Sequence, residues 1–267
     1  MPEDGEWAVY NGRYFDNAHG GHQTSRMTTA FFSAVAQLRA AHVSKYLTSI
    51  GVPTGSAVLE VGPGMGVFAG HWLRSHPGTH YWAIESDRSC HEALSILGVQ
   101  LLESSAAMPA GQLVDLVVMS HVLEHITRPL QALNAIAERL RPGGVLFLEV
   151  PCRDFEHKRL DEPHVLFFDK APMRTLLERL GFDRIHLSYH GQTIKDLRNR
   201  HPLRRVAAAL RHQLISKGLT VPFGTMPPGL EAVTDRFERA VVKPYLAHIE
   251  QNEPAWWLRA LAVRGED

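Results

Sequence analysis

The sequence predicts an α/β fold: a doubly wound, mostly parallel sheet with helices on both faces. Three observations carry that expectation. From Ala57 onward, short apolar runs of strand length alternate with segments of helical periodicity, the pattern of a parallel sheet covered on both sides. The first run leads straight into a glycine turn, Gly62-Pro63-Gly64-Met65-Gly66, the kind of junction at which such sheets hold a ligand. The breakers Pro77-Gly78, Gly98, Pro142-Gly143-Gly144 and Gly181 fall between these segments rather than inside them.

Residues 1–26 are rich in Gly, Asn, His and Asp and read as an irregular lead-in. Phe31, Val35, Leu38, Val43, Leu47 and Ile50 then recur at helical spacing, with Gly51 where a helix stops. Strands are expected at Ala57–Val61, His80–Ile84, Val99–Leu102, Leu113–Ser120 and Val145–Val150. Helices are expected between them at Val67–Ser75, Ser89–Leu97 and Pro129–Leu140. A helix at Ala171–Leu180 and a strand at Arg184–Tyr189 follow, and Trp256–Val263 reads as a closing strand. The chain is therefore divided into a lead-in with its helix (1–50), a core (51–190), a helical insertion (191–254) and the closing strand (255–267). Leu203, Val206, Leu210 and Leu214 form an apolar stripe in the insertion, which fits a lid, an acceptor contact or a homodimer contact.

Length and composition bound the function. The 267 residues suffice for one α/β domain with room for an insertion, and 45% hydrophobic residues supply a core. Lys plus Arg equal Asp plus Glu at 28 each, so no global field draws the chain to nucleic acid or to an acidic membrane. Cys90 and Cys152 match no zinc spacing. A reducing cytoplasm is the expected compartment. No run is long and apolar enough for a membrane span. No metal cluster is expected. Lys195, Arg198, Arg200, Arg204, Arg205, Arg211 and Lys217 make a basic stretch that reads chiefly as a solvated helix face, with a phosphate-bearing acceptor or nucleic acid as the alternatives.

The chemistry gathers at the strand ends. Gly62 and Gly64 admit close backbone approach, and the following helix adds unpaired N–H groups. Glu85 closes the second strand, where an acid accepts both hydroxyls of a ribose. Asp87 competes, but strand alternation favours Glu85. Glu60, just before the first glycine, suits a ligand ammonium and would repel a pyrophosphate. The Gly-x-Gly-x-Gly spacing also differs from the Gly-x-Gly-x-x-Gly of dinucleotide binders. Ser120-His121-Val122-Leu123-Glu124-His125 brings hydroxyl, imidazole and carboxylate to the same edge.

Together, Val58–Gly66, Glu85, Asp115–His125 and Leu140–Val150 resemble the class I S-adenosylmethionine (SAM)-dependent methyltransferases. Within them, Ser120–His125 with Leu140–Gly144 is similar to the ubiquinone-biosynthesis type. Glu162–Phe168 with Leu176-Leu177 and Gly181-Phe182 is similar to sugar and natural-product enzymes. The resemblance implies a Rossmann-like sheet of seven strands, the last antiparallel, with SAM as cofactor and S-adenosylhomocysteine (SAH) as product. It places Glu60, Gly62, Gly64 and Gly66 around the methionine half and Glu85 on the ribose. Ser104, Ser105 and Ala106 would flank the adenine, and Ser120 and His121 would lie near the sulfonium. Tyr14 or Arg26 would reach the cofactor from the lead-in.

Methyl transfer is an in-line displacement governed by alignment, and a hydroxyl acceptor gains from a base. His121 is the first candidate base and His164 the second, while Glu124 and His125 read as the start of a helix. The expected activity is methylation of a small-molecule hydroxyl, of a sugar or natural-product intermediate. N- or C-methylation, RNA methylation and non-catalytic SAM binding are the alternatives. Ser120-His121-Val122 lacks the cysteine that would pair with a nucleophilic Cys152, so covalent carbon methylation is not expected.

Overall fold

The structure is a computed structural model that describes residues 26–53, 57–157, 164–199, 202–216 and 249–265. Tyr14, Glu162, Pro163 and residues 217–248 of the expected insertion lie outside the described residues. Eight strands form one sheet: β1 (Ala57–Val61), β2 (His80–Ile84), β3 (Gln100–Leu102), β4 (Val114–Ser120), β5 (Leu140–Pro151), β6 (Phe182–Thr193), β7 (Glu250–Gln251) and β8 (Ala255–Arg264). Their order is β3-β2-β1-β4-β5-β8-β6-β7. The first five pair in parallel. The closing strand β8 inserts antiparallel between β5 and β6.

The expectation of a mostly parallel, Rossmann-like sheet with an antiparallel last strand holds. Beyond the expected seven strands there is a short eighth, β7, which pairs with β6 through Tyr189 and His190. At two residues it is too short to carry a period. β6 runs on to Thr193, past the expected boundary at 191.

Helix α1 (Arg26–Ser49) ends before Gly51, whose φ of 74° suits a residue without a Cβ. Then come α2 (Val67–Ser75), α3 (His91–Ile96), α4 (Pro129–Ala137), α5 (Lys170–Arg179), α6 (Ile194–Arg198) and α7 (Pro202–Ser216). α4 stops at Ala137 rather than 140, because Leu140 already pairs with Val114 in the sheet.

Two apolar layers sandwich the sheet. On one face Val43 and Leu47 of α1 and Trp72 of α2 pack on Val58, Leu116 and Phe147. On the other, Leu133, Met173 and Leu177 of α4 and α5 pack on Leu59, Val117 and Leu146. Alternation along each strand sends successive side chains to opposite layers. The stripe Leu203, Val206, Leu210 and Leu214 on α7 is exposed. Among the described residues no helix is long and apolar enough to cross a membrane.

Candidate active site

The strand order reverses between β1 and its neighbours β2 and β4, and loops leaving the carboxyl ends diverge there to open a crevice. The glycine loop occupies that point. Gly62, Gly64 and Gly66 have φ of 69°, 54° and 72°, a region in which L side chains are strained. A Cβ on Gly62 would stand 2.4 Å from Val122 Cγ2, and one on Gly66 2.8 Å from Leu94 and Leu97. Both the turn and its close packing against the β4 exit and α3 therefore require glycine.

Glu85 sits beyond β2 with its carboxylate turned onto this loop. Its Oε2 accepts the Gly64 N–H at 2.8 Å, and its Oε1 accepts the Asp87 N–H at 2.8 Å. A carboxylate offers about four lone-pair sites, so acceptor capacity for two sugar hydroxyls remains. Asp87, the competitor, instead caps its own turn by accepting the Ser89 N–H at 2.9 Å. Ser105–Ala107 forms a short 3-10 turn at the end of β3, with Ser104 at its N-cap, on the same sheet edge. Ser120 ends β4, and its buried Oγ has no hydrogen-bond partner. A buried hydroxyl left unpaired is costly, and a ligand at this edge would relieve it. The glycine cradle, the Glu85 carboxylate and the orphaned Ser120 hydroxyl together fit an amino-acid nucleoside such as SAM.

The methyltransferase domain family matches residues 34–187, more than half of the chain. The chain belongs to the class I SAM-dependent methyltransferases. Its cofactor is SAM. An uncharacterized methyltransferase of Mycobacterium leprae is 33% identical over 126 residues, covering 44% of this chain and 46% of that protein. The chain thus spans about half the length of the curated relatives it matches. A SAM-dependent methyltransferase of Thermotoga maritima superposes with a TM-score of 0.56 at 17% identity, over 97% and 99% of the two chains. One from Archaeoglobus fulgidus gives 0.54 at 13%, over 94% and 98%. The plantazolicin methyltransferase BpumL, solved with SAH, gives 0.53 at 12%, over 99% and 91%. At these identities the likeness shows the fold.

In this methyltransferase the β4 exit is strained. His121 has φ of 56°, uncommon for a residue with a side chain. Its N–H is held by the Glu149 carbonyl at 2.8 Å. Its ring lies between two carboxylates, with Nδ1 3.5 Å from Glu124 and Nε2 3.3 Å from Glu149. Burial alone would lower its pKa, but the carboxylates of Glu124 and Glu149 outweigh that and raise it to about 9. This corrects the expected base: both ring nitrogens face acceptors, so His121 is a donor on each side. Its side chain is nevertheless 38% exposed at the sheet edge.

His164 is also not the open base that was expected. Its Nδ1 lies 2.5 Å from Asp154 Oδ2, and its side chain is only 4% exposed. It packs edge-on against His125, ring centroids 4.8 Å apart. Leu123–His125 is a 3-10 turn rather than the start of a helix. No metal cluster was expected, yet ligand atoms of Glu124, His125 and His164 lie within 4.8 Å of one another.

Sequence reasoning also missed a buried charge network. Glu149 on β5 is fully buried and accepts from Arg39 of α1 at 3.0 Å and from Arg259 of β8 at 2.6 Å. Burial would raise the Glu149 pKa, but the Arg39 and Arg259 guanidiniums hold it well below the usual carboxylate range. Arg259 in turn reaches His190 of β6 at 3.5 Å. This network joins α1, β5, β6 and β8 under the β4 exit. The readable signal was a charge inside each of two apolar strand runs.

Glu60 lies in the same layer rather than at the open edge. It is 3% exposed and accepts the Tyr81 hydroxyl at 2.6 Å. Burial raises its pKa to about 7, against the Tyr81 hydrogen bond and the Arg39 charge, which lower it. The folded chain therefore keeps a proton that the unfolded chain releases from pH 4.5 upward. Its contribution is fully present below that pH, falls as pH rises towards 7, and then levels off. Glu60→Gln is expected to gain ~3 kcal/mol relative to the parent between pH 4 and 8. Urea unfolding at the two pH values checks this, and a difference independent of pH contradicts it.

The described part of the basic stretch is partly neutralised. Lys195 and Arg198 line a surface cavity of about 390 Å³ with Arg153, Glu156 and Glu253, and Arg198 lies 3.7 Å from Glu156.

Proposed function

We propose that this chain transfers the methyl group of SAM to a hydroxyl of a small molecule of the sugar or natural-product class. The observation that carries the reading is the Glu85 carboxylate closed onto Gly64, with the orphaned Ser120 hydroxyl at the end of β4 on the same sheet edge. SAM, when bound, supplies a methyl on a positively charged sulfur. The chain's own work is to hold and align. Gly62, Gly64 and Gly66 give the methionine half close backbone contact, Glu85 takes the ribose, and Ser104, Ser105 and Ala106 border the adenine. Ser120 meets the reacting end. His121, locked by its two carboxylates, acts as a positioning residue for the acceptor.

The preference for oxygen over a cationic amine rests on where the acids are. An amine acceptor calls for an open carboxylate. Among the described residues at this edge, Glu60 and Glu124 are buried, Glu149 is held by two arginines, and Glu85 serves the loop. The test is turnover of methyl-labelled SAM with a panel of glycosides, phenols and amines, with mass spectrometry locating the methyl. A methyl ether is the expected product; products methylated on nitrogen alone would refute the reading. His121→Asn, which tolerates the left-handed backbone, is expected to raise the acceptor KM about tenfold and leave SAH affinity unchanged.

A further inference from the structure

Beyond the contact of Glu124 with His121, the cluster behind the β4 exit takes no part in the proposed methyl-group alignment. Glu124 and His125 come from the 3-10 turn after β4, and His164 from the segment between β5 and α5. Their side chains are 2%, 4% and 4% exposed. Both carboxylate oxygens of Glu124 are buried without a hydrogen bond; the imidazoles of His121 and His125 stand 3.5 and 3.9 Å from Oε1. A buried carboxylate whose nearest donors, the His121 and His125 rings, stand at 3.5 and 3.9 Å is better satisfied by a cation at bonding distance.

We propose that Glu124, His125 and His164 form a binding site for one divalent first-row transition cation of the zinc class. Four features point there. One ligand atom from each residue lies within 4.8 Å of the others, so side-chain shifts of about 1 Å bring them onto a single ion at the ~2.0–2.2 Å bonds that nitrogen and oxygen make to zinc. Two imidazoles and one carboxylate suit zinc-like cations, whereas magnesium and calcium take oxygen ligands. Asp154, itself buried, holds His164 Nδ1 at 2.5 Å; this sets the tautomer whose lone pair is on Nε2, as carboxylates do behind metal-bound histidines. Finally, the two segments are braced before any ion arrives. The Glu124 carbonyl accepts the N–H groups of Val165 and Leu166 at 2.9 and 3.1 Å, and the His125 N–H bonds the Val122 carbonyl at 3.1 Å.

Among the described residues three ligands converge, and a tetrahedral zinc ion takes a fourth. The ion would tie the β4 exit to the segment before α5. The site stands whether the acceptor is a hydroxyl or an amine, and SAH binding measured on the same samples keeps the two questions apart.

The test uses the full-length protein, stripped with chelator and titrated with zinc by calorimetry. Cobalt is added separately to read coordination from visible absorption. One equivalent is expected to bind and to raise the melting temperature. Glu124→Gln, His125→Ala and His164→Ala are each expected to weaken binding at least ~100-fold, and Asp154→Asn about 10- to 100-fold. Unchanged SAH affinity certifies that each variant is folded. Where a variant does not fold, a zinc-edge anomalous map of soaked parent crystals replaces it, with a peak between the three side chains expected. Zinc bound no more tightly by the parent than by the folded variants, or an anomalous peak only elsewhere, overturns the proposal.

Discussion

Glu149→Ala is expected to destabilise the protein by ~3–5 kcal/mol, the usual result of removing one partner from a buried ion pair. Arg259 is 0% exposed and would be left without its counter-charge. Its Nη2 already lacks a hydrogen bond, and His190 Nδ1, 3.5 Å from Nη1, is too distant to replace the carboxylate. For a chain of this size the melting temperature would fall by roughly 10 °C. The loss comes from the stranded guanidinium rather than from the pair's intrinsic worth. Accordingly, Glu149→Leu combined with Arg259→Met is expected to recover most of it, since well-packed apolar replacements of a whole pair are often neutral. Arg39 is tolerable in that variant because 12% of its side chain reaches solvent. Thermal melts of the three proteins decide. A single variant within about 1 kcal/mol of the parent would mean that the network is slack.

The second large effect is on the cofactor. Glu85→Ala removes the acceptor for the Gly64 and Asp87 N–H groups as well as the proposed grip on the ribose. Hydrogen bonds to a charged group are worth ~1.5–3 kcal/mol each. Losing the two proposed for the ribose is therefore expected to weaken SAH binding by ~100-fold or more. Glu85→Gln keeps one acceptor oxygen and is expected to fall between the two, about tenfold weaker. Calorimetric titration with SAH measures both. An alanine variant within about threefold of the parent would remove Glu85 from the site.

The parts legible in the sequence were the local ones. An apolar run ending in glycines dictates β1, the turn and α2 within a few residues, and the acid after β2 follows from the same unit. The β4 exit was legible as a site because hydroxyl, imidazole and carboxylate follow one another directly. What each group does there was not legible. His121 looked like a base until β5 brought Glu149 beside it, and His164 until Asp154 claimed its ring. The convergence of His164 on Glu124 and His125 depends on how the segment after β5 folds back over the β4 exit, which no local pattern records. Glu149 and Arg259 are charges inside strands buried on both faces, a signal the sequence analysis left unused, and each needs a counter-charge. That they meet one another follows from β8 inserting beside β5 in antiparallel register, Glu149 opposite Arg259. The same insertion explains why β8, far along the chain, completes the core.

The central claim is that the turn Gly62–Gly66 and the Glu85 carboxylate form the cofactor cradle. A crystal structure of the protein grown with SAH tests it most directly. The account predicts the homocysteine portion against the backbone of Gly62–Gly66 and both ribose hydroxyls on Glu85, with Ser120 at the sulfur end. SAH seated on another part of the surface, with Glu85 still bound only to Gly64 and Asp87, would contradict it.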